Sequence, residues 1–275
     1  MNELYLRIFS SIFLLLLFTL MIFGNKLIFT LLIQIFQFIC VWEYLRLVKF
    51  YYLSSKDKLL FNELSLTKTK LNINEFFLIF LFNALNVFLI YENYFLFQIF
   101  LVLIVFIYFK FFFKNLINLT GLLYVLSPFF IIITLKSHID FQRILLFIVF
   151  FSILVDSSAY FFGKKIGGIK LAFSISPNKT VAGFLAGIVF PTLVCIIFYS
   201  QENIINVIIF SIIFSVTIQI GDLIESKFKR ICNVKDSSNV IPGHGGALDR
   251  MDGIFLFLIL ISLFIILDYN LFFIR

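Results

Sequence analysis

Apolar residues run through this chain in long blocks, separated by short polar breaks, and the blocks have the length of membrane helices. A spanning helix needs about 20 mostly apolar residues, within a range of about 17 to 25. Nine runs approach that length once their flanks are included: 8–24, 27–42, 76–91, 94–109, 116–135, 144–162, 181–199, 204–222 and 253–268. The pattern predicts an all-α polytopic membrane protein with about nine transmembrane helices. The first run follows Arg7, as the apolar core of a signal peptide would. It lacks a small-residue cleavage site and passes through Gly24-Asn25-Lys26 into a second run, so it reads as a mature helix.

The polar breaks alternate in charge. The amino terminus and the loops 43–75, 110–115, 163–180 and 223–252 carry 18 Lys and Arg residues, and the opposite side carries 4. Basic residues are retained on the cytoplasmic side, so this bias predicts a cytoplasmic amino terminus and an outside carboxyl terminus. In a bacterial-type cell the membrane is the inner (plasma) membrane, and the large basic loops face the cytoplasm.

Composition agrees with the pattern. The 275 residues are 62% hydrophobic and 13% charged, which excludes a soluble globular domain. The 42 Phe residues read as a composition bias that fills lipid-facing positions. Cys40, Cys195 and Cys232 are odd in number and far apart, and offer neither a disulfide framework nor a zinc spacing. The net charge of +7 suits an anionic membrane surface or an anionic substrate.

Polar residues inside the runs divide the chain in two. Residues 1–135 hold five runs and read as a scaffold. Asn83 and Asn86 share a helix face and are suited to hydrogen bonding between helices. The loop 43–75 mixes both charges and reads as a solvated connector. Gly121 and Ser127-Pro128 predict a kinked or closely packed fifth helix. Residues 136–275 hold four runs and the chemistry. Asp156 lies inside an apolar helix, where a carboxylate is costly; a functional role and a structural hydrogen bond both stay open. In the loop 163–180, Pro177 and Thr180 suit a helix start, and Lys179 beside backbone N–H groups makes a phosphate seat. Gly183 and Gly187 have the spacing of close helix packing.

The eighth run need not stop at Asp222. If the helix continues to Arg230, then Asp222, Glu225, Ser226, Lys229 and Arg230 share a broad face. That helix would be roughly 40 Å long against a hydrocarbon core of about 30 Å, so its last turns reach the depth of lipid phosphates. The densest polar stretch follows, and Ser226–Asp252 holds five basic and three acidic residues in 27 positions. Lys and Arg beside a span are expected from orientation alone. The interleaved carboxylates, and His244 between glycines, are not. Glycines can bring backbone N–H groups close to a phosphate. Asp222 before the stretch and Asp249 after it are hard oxygen donors of the kind Mg²⁺ prefers. Lys229, Arg230, Lys235 and Arg250 would neutralise a polyphosphate, which points to phosphoryl chemistry at the membrane surface.

These residues resemble the signature of the phosphatidate cytidylyltransferases, the CDP-diacylglycerol synthases. Ser226, Phe228, Lys229, Arg230, Lys235, Asp236, Ile241, Pro242, His244, Gly245, Gly246, Asp249, Arg250 and Asp252 stand in its register. The likeness extends to Asp156-Ser157-Ser158-Ala159-Tyr160 and to the Ser-Pro-x-Lys-Thr element at Ser176–Thr180. Where the family commonly has a second Lys and a Glu, this chain has Asn178 and Ala182, so no metal role is carried to position 182. The resemblance implies transfer of the cytidylyl group of CTP to phosphatidate, releasing pyrophosphate. It implies Asp222 and Asp249 as ligands of one or two Mg²⁺ ions, with room for a monovalent ion. Lys235, Arg250 and His244 would act beside them. Lys179, Thr180, Ser226, Lys229, Arg230, Gly245 and Gly246 would hold substrate phosphates. Asp156, Asp236 and Asp252 would be structural or stand behind the ligands. Partners are CTP, phosphatidate and membrane lipids, with a homodimer implied and no nucleic acid. A CTP-dependent lipid kinase would need a similar acidic site but would release CDP. A transporter would gather its ionisable residues near the bilayer midplane.

Overall fold

The computed structural model describes residues 3–56, 69–92, 116–243, 245–267 and 271–273. The run at 94–109 and the residue His244 lie outside the described residues. The protein is mostly helical, as the apolar runs require. The described helices are α1 (Glu3–Phe23), α2 (Lys26–Lys56), α3 (Ile73–Glu92), α4 (Leu116–Leu135), α5 (Phe141–Ile166), α6 (Val181–Phe198), α7 (Ile204–Ile231) and α8 (Leu248–Ile266). Two short strands, β1 (Lys170–Ala172) and β2 (Ser176–Thr180), lie between α5 and α6. Among the described residues, four helical segments are long and apolar enough to cross a membrane: Lys26–Tyr52, Phe141–Ile166, Val181–Phe198 and Ile204–Ile231.

The helices outrun the apolar blocks that predict them. The block 27–42 becomes a helix of 31 residues, so the first part of the expected connector 43–75 is helical and not a solvated loop. The reason is visible in its sequence. Tyr44, Leu45, Leu47, Val48 and Phe50 continue the apolar face and are buried, while the charges of Glu43 and Arg46 are buried among them. Likewise α7 runs unbroken through Asp222 to Ile231, as its three- and four-residue polar spacing anticipates. The loop 163–180 is less irregular than expected. Helix α5 extends to Ile166, and the remainder folds as an antiparallel hairpin pairing Lys170 with Thr180 and Ala172 with Ser176.

The chain forms two compact units. The first comprises residues 1–137 with 231–250, and the second comprises 138–230 with 251–275. In the first, α2 is central and packs against α1, α3 and α4. Phe29, Ile33, Cys40 and Tyr44 form its buried stripe at helical spacing. Asn86 of α3 donates its side-chain amide to Gln37 of α2, which is the interhelical role its position implies. Gly121 of α4 faces the Tyr44 ring, where a Cβ would stand 2.9 Å from Cζ, so close packing of this helix needs the glycine.

In the second unit, α5 and α6 pack closely through small residues. A Cβ on Gly183 would lie 2.6 Å from the Ala159 carbonyl oxygen, and one on Gly187 would lie 3.2 Å from the Ala159 Cβ. Phenylalanine also has a role beyond the lipid face. Phe147 stacks on Phe273 at 3.9 Å and on Phe151 at 5.3 Å, and Phe214 meets Phe257 at 5.1 Å. These rings tie α5, α7, α8 and the segment 271–273 into one aromatic core. The three cysteines are buried and unbridged. Burial pushes the Cys232 thiol up to about 12, so it stays neutral and is no nucleophile.

Candidate active site

The second unit brings together residues from three elements. Thr180 ends β2 and caps α6: its Oγ1 accepts from the Gly183 N–H at 3.1 Å. That cap fixes the end of the hairpin, and Lys179 just before it forms an ion pair with Asp222 of α7. Ser226, one turn along α7, donates to the other Asp222 oxygen at 3.2 Å. Arg230, a further turn along, donates to the Ile175 carbonyl at 3.2 Å and ties α7 to the hairpin. Helix α8 meets α7 at two glycines. A Cβ on Gly221 would lie 2.9 Å from the Asp252 carbonyl oxygen, and one on Gly253 would lie 2.8 Å from the Ile218 side chain.

This close approach puts Asp252 in the field of Asp222. Burial, and next the Asp222 charge, push the Asp252 carboxyl up to about 6, while its bond from the Gly253 N–H and the Lys229 and Lys179 charges pull the other way. Two neighbouring carboxylates away from bulk water favour a bound cation or a proton over a second bare charge, and the Lys179 and Lys229 ammonium groups offset part of that tendency. Lys229 is buried and lies 3.2 Å from Glu225, so part of its charge is already balanced within α7. Asp156 stands on the exposed face of α5, while the neighbouring Ser158 is buried and donates to the Leu154 carbonyl at 2.7 Å.

The first unit holds the rest of the polar stretch. Asp249, in the first turn of α8, is buried and accepts through Oδ2 from the Ser237 N–H at 2.9 Å, the Ser237 hydroxyl at 3.0 Å and the Gly246 N–H at 2.8 Å. The glycine run is required sterically. Gly243 and Gly245 have φ of 75° and 84°. A Cβ on Gly246 would run into the Ser237 hydroxyl and approach Glu43 Oε1 to 2.7 Å. Lys235, Asp236 and Arg250 are exposed beside this turn.

Glu43, Ser237 and Ser238 are residues that the motif reading misses. Glu43 is 0% exposed. Oε2 accepts from the Ser237 hydroxyl at 2.9 Å and the Leu248 N–H at 2.9 Å, and Oε1 accepts from the Ala247 N–H at 3.0 Å and from the Ser238 hydroxyl. Four donor groups meet one carboxylate, with the single Ser237 hydroxyl proton shared between Glu43 and Asp249, and such bonding is what a buried charge needs. The signal was present: Glu43 is a lone carboxylate flanked by Val41-Trp42 and Tyr44-Leu45.

Comparison with known proteins gives this arrangement a setting. The model of the Cytidylyltransferase family matches residues 5–268, nearly the whole chain. The chain belongs to the Cytidylyltransferase family. Curated relatives share local identity. A phosphatidate cytidylyltransferase of Bacillus subtilis (strain 168) is 49% identical over 106 residues, covering 37% of this chain and 39% of the relative. One of Staphylococcus haemolyticus (strain JCSC1435) is 43% identical over 118 residues, covering 41% and 45%. One of Rickettsia bellii (strain RML369-C) is 41% identical over 150 residues, covering 50% of this chain and 64% of the relative. The matched stretch thus spans less than two thirds of each of these relatives. The matched residues include the whole polar stretch 226–252.

Proposed function

We propose that this protein is a phosphatidate cytidylyltransferase of the cytoplasmic membrane, joining CTP and phosphatidate into CDP-diacylglycerol with release of pyrophosphate. The observation that carries the reading is the cluster of Lys179, Asp222, Ser226 and Asp252, built from a hairpin and two helices of a family member. An acidic pair ringed by ammonium groups suits a metal–phosphate complex better than a lone anion or a transported cation.

The donor set fits Mg²⁺. Among the described residues, no group of three or more His, Cys, Asp or Glu side chains is placed to hold a metal ion. Mg²⁺ commonly takes only one or two protein carboxylates, with phosphates and water completing the shell. Asp222 and Asp249 are the proposed ligands, and the closeness of Asp252 to Asp222 adds it as a third candidate. When bound, Mg²⁺ supplies charge neutralisation to the reacting phosphates. Phosphatidate attacks the α-phosphorus through its own phosphate, which is largely ionised near pH 7 because its second pKa is about 6. No side chain has to remove a proton. Lys179 exchanges its carboxylate partner for a substrate phosphate. In the first unit, Lys235 and Arg250, exposed beside the glycine turn, are suited to binding phosphate. Nine spans, with the basic loops at the cytoplasmic surface, would put the last turns of α7 level with the lipid headgroup.

The test is purified protein in detergent with labelled CTP, phosphatidate and Mg²⁺. Label from the α-phosphate should appear in a lipid, with stoichiometric pyrophosphate. Transfer of γ-label to lipid with CDP release would replace this reading by a lipid kinase.

A further inference from the structure

We propose that Glu43, from the second helix of the N-terminal half, is a positioning residue for Asp249. The inference rests on the reading of Asp249 as a ligand of the catalytic metal, and it gives the N-terminal helices a part in the reaction beyond scaffolding.

The chain of contacts is short and lies wholly within the first unit. Glu43 holds the N–H of Ala247, just before α8, and that of Leu248, its first residue, and it holds both serines of the 237–238 turn. Ser237 passes the constraint on. Its hydroxyl lies 2.9 Å from Glu43 Oε2 and 3.0 Å from Asp249 Oδ2, and its N–H also donates to Asp249. Glu43 therefore fixes the Asp249 carboxylate in two ways: through the backbone that begins its helix and through the serine that grips one of its oxygens. The glycine at 246 is what allows this approach, since any side chain there would displace Ser237 or Glu43. A residue that merely filled space at position 43 would not need a charge, because α2 buries apolar side chains on both sides of it. A fully buried carboxylate is kept where its four donors matter.

The geometry makes Glu43→Gln a sharp substitution. Each carboxylate oxygen accepts one backbone N–H, from Ala247 or from Leu248. The Gln amide group must therefore face one of these donors whichever way it is turned. Two serine variants separate positioning from mere stability. Ser237→Ala removes the hydroxyl that touches both Glu43 and Asp249. Ser238→Ala removes a hydroxyl that touches Glu43 and bonds back to the Val240 N–H, but has no bond to Asp249.

The experiment measures Mn²⁺ binding directly, from the electron paramagnetic resonance signal of free Mn²⁺, alongside CDP-diacylglycerol formation and thermal stability in detergent. Glu43→Gln and Ser237→Ala should weaken Mn²⁺ binding roughly tenfold or more, the range seen when a ligand's supporting partner is lost. The Mg²⁺ concentration for half-maximal activity should rise in parallel. Ser238→Ala should stay within about threefold of wild type on both measures, since no partner of the ligand is removed. Equal Mn²⁺ affinity in wild type, Glu43→Gln and Ser237→Ala would overturn the proposal, and so would equal losses in the two serine variants. If Glu43→Gln does not fold, the serine pair decides alone. A wild type that binds Mn²⁺ but makes no CDP-diacylglycerol would overturn the reaction assigned above and leave Glu43 to be judged on metal binding. A wild type that binds no Mn²⁺ would overturn the positioning role itself.

Discussion

At the scale of single residues, the two proposed ligands have different surroundings. Asp222 is half-buried and shared between an ammonium and a serine, whereas Asp249 is buried and gripped through one oxygen by three donors. The substitution Asp249→Asn separates charge from shape. An Asn carbonyl can occupy the Oδ2 position and accept the same three bonds, so the start of α8 should persist. The negative charge is lost, and with it the pull on a metal ion. We expect Asp249→Asn to keep wild-type circular dichroism and thermal stability within a few degrees, and to lose activity by roughly a hundredfold or more, as expected when a charged ligand is neutralised. Activity within a few-fold of wild type, assayed with Mg²⁺ in excess, would take Asp249 out of the ligand role.

At the scale of elements, the placing of the site follows from helix packing. Lys179 reaches Asp222 because Thr180 caps α6 and because α5 and α6 lie close at Gly163 and Gly183. A methyl group at 183 would meet the Ala159 carbonyl oxygen at 2.6 Å, and a backbone atom cannot swing aside. The variant Gly183→Ala should therefore cost about 1–3 kcal/mol, the usual range for an overpacked contact. It would be read as a lower midpoint of thermal unfolding in detergent, and an unchanged midpoint would mean that the two helices separate freely. Much of this scale was legible in the sequence. The i, i+4 glycines announced the close helix pair, and the polar spacing after Asp222 announced the continuing helix. What was not legible was the true end of α2. Hydropathy falls at Glu43 and Arg46, yet the helix continues because its buried face does, and burial is a tertiary fact. Cutting the apolar run at residue 42 turned a buried carboxylate into a supposed loop residue. The β-hairpin was hidden for the opposite reason: Lys170–Thr180 is polar and holds a proline, and only its pairing makes it strand.

At the scale of the whole molecule, the polar stretch is divided between two compact units. Residues 231–250 fold with the N-terminal helices, while Asp222 and Asp252 belong with the C-terminal ones. The signature motif, read linearly, could show which residues matter but not which helices hold them. Orientation is the other molecular property, and the 18 to 4 bias in basic residues predicts a cytoplasmic amino terminus. A thiol-reactive, membrane-impermeant probe should label a cysteine introduced at Lys235 only from the cytoplasmic side, and one at Asp268 only from outside. Labelling of both from the same side would remove the nine-span arrangement.

The most direct test of the account is the reaction itself. Purified protein given CTP labelled at the α-phosphate, phosphatidate and Mg²⁺ should transfer that label to lipid as CDP-diacylglycerol, release one pyrophosphate per lipid formed, and stop when the metal is chelated. Lipid that stays unlabelled while the protein is folded and metal-loaded would contradict it.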